Sequence, residues 1–228
     1  MPITFDKYIG IGEWCFVAQE LTRLNLRREA MPFDWLFSNL VFVHEMIVDP
    51  QQAFMDSVGK YSRDEPMKLY SGQEYRQVLF PHHDVKTQKD YSYYERSWQR
   101  WIDILNSDKN ILFIHAKRPT STGVEELLKK IVLTIKDKYP RLRFQILSID
   151  HKLVDSKYNY GPDYSKGIVF KKYSTNILLV NVNVKHYLNS KNWDGYKDRK
   201  RWNTMWRLLS KRFILEKTNN KRKGNIWK

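Results

Sequence analysis

The 228-residue chain contains a single cysteine, Cys15. One thiol cannot close an internal disulfide, so a disulfide-framed secreted scaffold is excluded and a reducing compartment fits. The close ligand spacings C-x-x-C and H-x-x-x-H are missing, and so is the D-x-D pair of manganese-dependent glycosyltransferases. No apolar run of about 18 residues occurs, so no transmembrane helix is expected. Residues Met1 to Lys7 show no signal-peptide pattern, and a cytoplasmic location is expected. Internal repeats are also lacking, as are low-complexity segments other than the Lys/Arg/Asn-rich end.

Hydrophobic residues make up 42% and aromatics 14%, which points to a folded chain with a sizeable core rather than a disordered one. The formal charge of +15 is uneven. Residues 197–228 hold twelve Lys and Arg against two acids, Asp198 and Glu216. This pattern suits a solvated basic tail over 215–228, attached to a single α/β domain over 1–214 with a loop-rich insertion at about 50–76. The tail has no zinc-finger or glycine-rich patterning, so nucleic acid is not the expected partner.

An apolar strand, Phe5 to Ile11, runs through two glycines, Gly10 and Gly12, to Cys15. An amphipathic helix begins there, with Val17, Leu21 and Leu24 at helical spacing. Ser38 is placed to cap a second helix over about 39–48, and one short helix is expected near Phe54. Val78 to Phe80 reads as a strand, followed at once by His82, His83 and Asp84. Ser92 and Glu95 have capping-box spacing for a third helix, whose stripe of Tyr91, Tyr94, Trp98, Trp101, Ile102 and Leu105 reads as core. Strands then follow at 111–114, 144–149, 168–170 and 177–184. A helix opened by Thr122 and Glu125 ends before Pro140, and a last helix at about 198–214 carries Trp202, Met205, Trp206 and Leu209.

This alternation predicts an α/β fold: a mainly parallel, Rossmann-like or flavodoxin-like sheet with helices on both faces, a short C-terminal β extension and a terminal helix. Ligands bind such sheets beyond the carboxyl ends of the strands. Cys15 follows the first expected strand, His82, His83 and Asp84 the second, His115 the third, and Asp150 with His151 the fourth. Of six histidines only His44 and His186 fall outside this set.

Two chemistries use these residues. A Cys15 thiolate activated by His82 or His83 attacks a carbonyl, with Asp84 or Asp150 orienting the imidazole and backbone N–H groups near Gly12 holding the oxyanion. Alternatively Cys15 and histidines bind zinc, although the spacings favour no metal and no cofactor. Against both stands a purely structural role, with Cys15 packed in the core and His82 and His83 holding a loop. In Pro32-Phe33-Asp34-Trp35 the two aromatics read as core residues, and Asp34 serves either as a turn cap or as a carboxylate near Cys15.

The run Gly10-Ile-Gly-Glu-Trp-Cys15-Phe-Val-Ala-Gln-Glu-Leu21, then Leu26-Arg27 and Pro32-Phe33-Asp34-Trp35, resembles a domain family labelled putative papain-like cysteine peptidase. Phe80-x-His82-His83-Asp84 and Ile111 to Ile114 follow that family's order of elements. The resemblance spans about residues 5–150. It implies a Cys–His hydrolase with Cys15 as nucleophile and His82 or His83 as base. The Gly-x-x-Cys opening is also similar to hydrolases with a flavodoxin-like sheet, which act on lipids or acylated glycans.

The leading expectation is therefore a thiol-dependent hydrolase or acyltransferase with Cys15, His82, His83 and Asp84 as catalytic residues. Gly12, Arg27, Asp34, Arg96, Arg100, His115, Arg118 and Asp150 are its candidate substrate-binding residues. The substrate would be a small molecule, glycan or peptide, with anionic character suited to the arginines. A metal-independent glycosyltransferase is the alternative, using Arg27, Arg28, Arg96, Arg100, Lys117 and Arg118 on a diphosphate and Asp34 or Asp84 as base. A non-catalytic anion- or glycan-binding module is the third.

Overall fold

The computed structural model describes residues 3–60, 67–68, 74–75, 80, 82–117, 121–153, 163–184, 199–211 and 213–214. The main sheet has five strands: β2 (Lys7–Gly10), β5 (Asn110–Ala116), β6 (Arg143–Leu153), β8 (Ile177–Val184) and β7 (Ile168–Lys172), in that spatial order. The first four are mutually parallel, and β7 closes the sheet as an antiparallel edge. A two-residue parallel pair joins β1 (Ile3–Thr4) to β9 (Phe213–Ile214), and a short antiparallel pair joins β3 (Met67–Lys68) to β4 (Glu74–Tyr75).

The central strands are apolar on both faces because helices cover both. Ile111, Phe113, Phe144 and Ile146 point into one core, shared with α2 (Leu40–Val48), α3 (Pro50–Lys60), α4 (Gln88–Leu105) and α5 (Val124–Lys138). Leu112, Ile114, Leu147 and Ile149 point the other way, against α1 (Phe16–Arg23) and α6 (Arg199–Ser210). A strand alternates its side chains between the faces, so one buried run feeds two cores. Trp101 is fully buried in the first core and donates its indole N–H to the Met46 carbonyl. Trp202, Met205, Trp206 and Leu209 line the second, so the expected apolar face of the last helix is real.

Several boundaries differ from the sequence expectations. Asn39, not Ser38, caps α2, its Oδ1 accepting the Phe42 N–H at 2.9 Å. Helix α4 starts a turn before Ser92, capped by Thr87. Thr122 does not cap α5, because Gly123 takes that position with φ at +64°. The short helix expected near Phe54 is α3, and Ala53 and Phe54 pack into the core. Val78 and Leu79 lie outside the described residues, while Phe80 is buried in irregular backbone rather than in a strand. Strands β5 and β6 run further than expected, so His115, Asp150 and His151 lie within strands rather than after them. Arg118 and the basic tail at 215–228 lie outside the described residues. Among the described residues no helix is long and apolar enough to cross a membrane.

Cys15 is placed by the turn between β2 and α1. Gly12 has φ at +94°, a conformation that L side chains rarely adopt. A Cβ built on Gly12 would lie 2.5 Å from the Ser38 hydroxyl oxygen, so the segment preceding α2 lies directly on the turn. Gly12→Ala therefore combines backbone strain with a steric clash. We expect it to lower stability by about 2 kcal/mol, measured by urea denaturation. Adding Ser38→Gly should restore only part of the loss, because the backbone strain remains.

Candidate active site

Cys15 immediately precedes the first turn of α1, where the helix's partial positive charge favours an anion. Its side chain is fully buried. The sulfur lies 3.4 Å from Nε2 of His82, within hydrogen-bond reach for sulfur. His82 is exposed, so the pair links a buried sulfur to a solvent-facing imidazole. The Trp35 ring meets the His82 ring edge-on at 6.2 Å. Trp35 is thus a half-buried wall beside the imidazole, whereas Phe33 is a core residue packed on Trp101 and Phe42.

The other residues of the expected catalytic group are engaged elsewhere. His83 stacks on Tyr93 with ring centroids 5.1 Å apart, and its Nδ1 lies 3.4 Å from an Asp90 carboxylate oxygen. The Asp84 carboxylate accepts the Lys86 N–H, and its backbone N–H donates to Asp90, so it shapes the turn into α4. That backbone bond, followed by the contact with His83, holds the Asp90 carboxyl below its ordinary value. Asp150 pairs with Lys117 at 3.7 Å.

Of the two roles considered for Asp34, its contacts are those of the turn cap. Its buried carboxylate accepts the Met31 N–H and the Arg27 Nε–H, each at 2.8 Å. Burial pushes the carboxyl up, while the Arg27 charge and these hydrogen bonds pull against that. Arg27 in turn lies 5.7 Å over the Trp35 ring. Met31, Asp34 and Trp35 are thereby tied into one unit facing His82. Arg100 donates to the Ala30 carbonyl and approaches Glu29, whereas Arg96 is exposed.

The second polar assembly was not foreseen from the sequence. Glu13, two residues before Cys15, is buried and accepts from His115 Nε2 at 3.2 Å and from the Ser121 hydroxyl. His115 Nδ1 contacts Ser148 Oγ at 2.9 Å. A buried carboxylate needs such partners, and these fix the turn carrying Cys15 to β5 and β6. His151 sits among Phe16, Trp14 and Trp202, with ring centroids 5.4, 6.2 and 4.9 Å away. His82, His115 and His151 therefore all touch the segment Glu13 to Phe16. Among the described residues no three His, Cys, Asp or Glu side chains group as a metal site.

A family model described as putative papain-like cysteine peptidase matches residues 6–153, well over half of the chain, and the chain belongs to that family. No curated protein and no solved structure matches it.

His151 gives this region a pH signature. Burial pushes its imidazole down to about 4, with the Lys117 backbone bond and Asp150 opposing and His115 adding to the fall. The unfolded chain takes up this proton near pH 6.5, whereas the folded protein refuses it until about pH 4. The stability it contributes is complete above about pH 6.5 and is lost as the pH falls towards 4, a loss of about 3 kcal/mol. The stability of His151→Phe relative to wild type, read from urea midpoints, should therefore be constant above about pH 7 and rise by about 3 kcal/mol as the pH falls towards 4, because the variant lacks this part of the slope.

Proposed function

We propose that this member of the family is a thiol-dependent hydrolase of acyl substrates, with Cys15 as nucleophile and His82 as general base. The observation that carries the reading is the 3.4 Å contact between Cys15 Sγ and His82 Nε2. Nucleophile and base within hydrogen-bond reach are the geometric requirement for this chemistry, and a helix N-terminus beside the sulfur stabilises the thiolate. His82 takes the thiol proton as the sulfur bonds to the carbonyl carbon. It returns that proton to the leaving group as the old bond breaks. Water then attacks the thioester, giving a proton to His82, and the acid and free thiol are released.

The imidazole is oriented by aromatic packing on Trp35 rather than by Asp84 or Asp150, whose contacts lie elsewhere. The half-buried surface of Trp35 and Arg27 beside His82 would receive the flat or acidic part of the substrate. A second nucleophile in place of water would make the same thioester an acyltransferase intermediate. The glycosyltransferase alternative loses support, because Arg27 and Arg100, two cations a diphosphate would need, are already bound to Asp34 and Ala30.

The test is the pH dependence of Cys15 alkylation by iodoacetamide. In wild type the midpoint should fall well below the free-thiol value of about 8.5. His82→Ala should return the midpoint towards that value and slow the reaction at neutral pH by at least about tenfold. His83→Ala should change the rate by no more than about twofold, since it is stacked on Tyr93. An unreactive Cys15 in folded wild-type protein, or a reactivity indifferent to His82, would return the cysteine to a packing role.

A further inference from the structure

Arg27 and Cys15 stand at opposite ends of one short helix. Cys15 immediately precedes α1, and Arg27 lies in the turn that leaves it. That turn passes through Asn25 with φ at +57°, and the N–H groups of Leu26 and Arg27 both donate to the Leu21 carbonyl. A left-handed residue with such bonds ends a helix in one defined conformation. From there the Arg27 Nε–H donates to the buried Asp34 carboxylate at 2.8 Å, and the guanidinium lies 5.7 Å over the Trp35 ring. Trp35 meets the His82 ring at 6.2 Å, and His82 Nε2 lies 3.4 Å from the Cys15 sulfur. These contacts close a circuit that runs from Cys15 through α1, Arg27, Trp35 and His82 back to Cys15. Among the described residues, His82 has no hydrogen bond or ring contact besides those with Cys15 and Trp35. Trp35 likewise has none besides those with His82 and Arg27.

Resting on the Cys15–His82 reading, we infer that Arg27 is a positioning residue for the general base. His82 comes from irregular backbone and its imidazole is exposed, so its ring keeps one orientation only while the wall beside it is fixed. Trp35 is that wall, and the guanidinium over its ring holds it in turn. A cation over an indole favours the stacked arrangement by about two- to thirtyfold in an equilibrium constant, more as the pair is desolvated. Asp34 has two parts in this. It fixes the guanidinium through the Nε–H, and its charge balances that of Arg27. The wall therefore does not oppose the imidazolium that forms when His82 takes the thiol proton. Phe33, packed on Trp101 and Phe42, anchors the segment in the core. Arg27 acts through Trp35 rather than on the sulfur. Because it is carried by the helix that starts at Cys15, a shift of α1 moves the nucleophile and the hold on its base together. Leu26-Arg27 and Pro32-Phe33-Asp34-Trp35, separate in the sequence, are then two halves of one clamp.

The test is a mutant cycle read by iodoacetamide alkylation of Cys15 across pH. Arg27→Met/Asp34→Asn removes the guanidinium without leaving a buried charge unpaired, and the new amide oxygen can still accept the Met31 N–H. This pair of changes should raise the alkylation midpoint by about one pH unit and slow the reaction at neutral pH about fivefold. In a His82→Ala background the same pair should leave the midpoint in place and change the rate by no more than about twofold, because Arg27 acts only through His82. Arg27→Gln, whose amide can donate to Asp34 but puts no charge over the ring, repeats the cycle as a second variant with the same expectation. Wild-type rate and midpoint in both variants, with His82→Ala still slow, would overturn the role of Arg27 and leave the dyad standing. An equal fall with and without His82 would also overturn it and make Arg27 a structural residue. A wild-type thiol that is unreactive, or indifferent to His82, would remove the dyad and this role together.

Discussion

The position of Cys15 depends on how closely the chain approaches itself at Gly12. At φ +94°, with the Ser38 hydroxyl where a Cβ would project, the backbone leaves β2 and turns within a few residues into α1. Gly10 contributes as well, since a Cβ there would press on Val17 at 3.1 Å. Two missing side chains thus allow α1 to start directly after the cysteine and to lie against the sheet through Phe16, Val17 and Leu21. Any bulkier residue at Gly12 would move the sulfur relative to His82, and at 3.4 Å little displacement is tolerated.

Around this turn, two buried carboxylates act as struts rather than as reagents. Glu13 joins it to β5 and β6 through His115 and Ser148, and Asp34 joins Arg27 to the loop bearing Trp35. Removing one member of such an assembly leaves a buried charge or dipole unpaired, so each holds its neighbours in one arrangement. The Cys15–His82 pair is supported from two sides. Below it lies the central sheet, and beside it lies an aromatic and guanidinium wall.

The parts legible in the sequence were those with a period. Strand β8 and the apolar stripes of α5 and α6 stand out because one face of each meets the core. Polar residues misled where pairing, not polarity, sets the end of a strand. Asp150 and His151 look like a strand terminus, yet β6 continues through them because β8 matches it residue for residue to Leu153. His82 is presented from irregular backbone, so composition placed it near Cys15 only through the expected order of strands. Tyr94 is buried as its stripe predicts, and its hydroxyl has no hydrogen-bond partner among the described residues. Helical spacing shows that a ring is buried and says nothing of whether its hydroxyl finds a partner.

The sulfur of Cys15 has no exposed surface, while the imidazole beside it does. Chemistry at this thiol is therefore a two-stage process. A local fluctuation must first uncover the sulfur, and its observed rate with any reagent is the opening constant multiplied by the rate of the open form. Under the proposed hydrolase reading, bulky acyl donors need a larger opening than small ones, and the work of admission selects among them. The same closure shelters the thiol from oxidants between encounters.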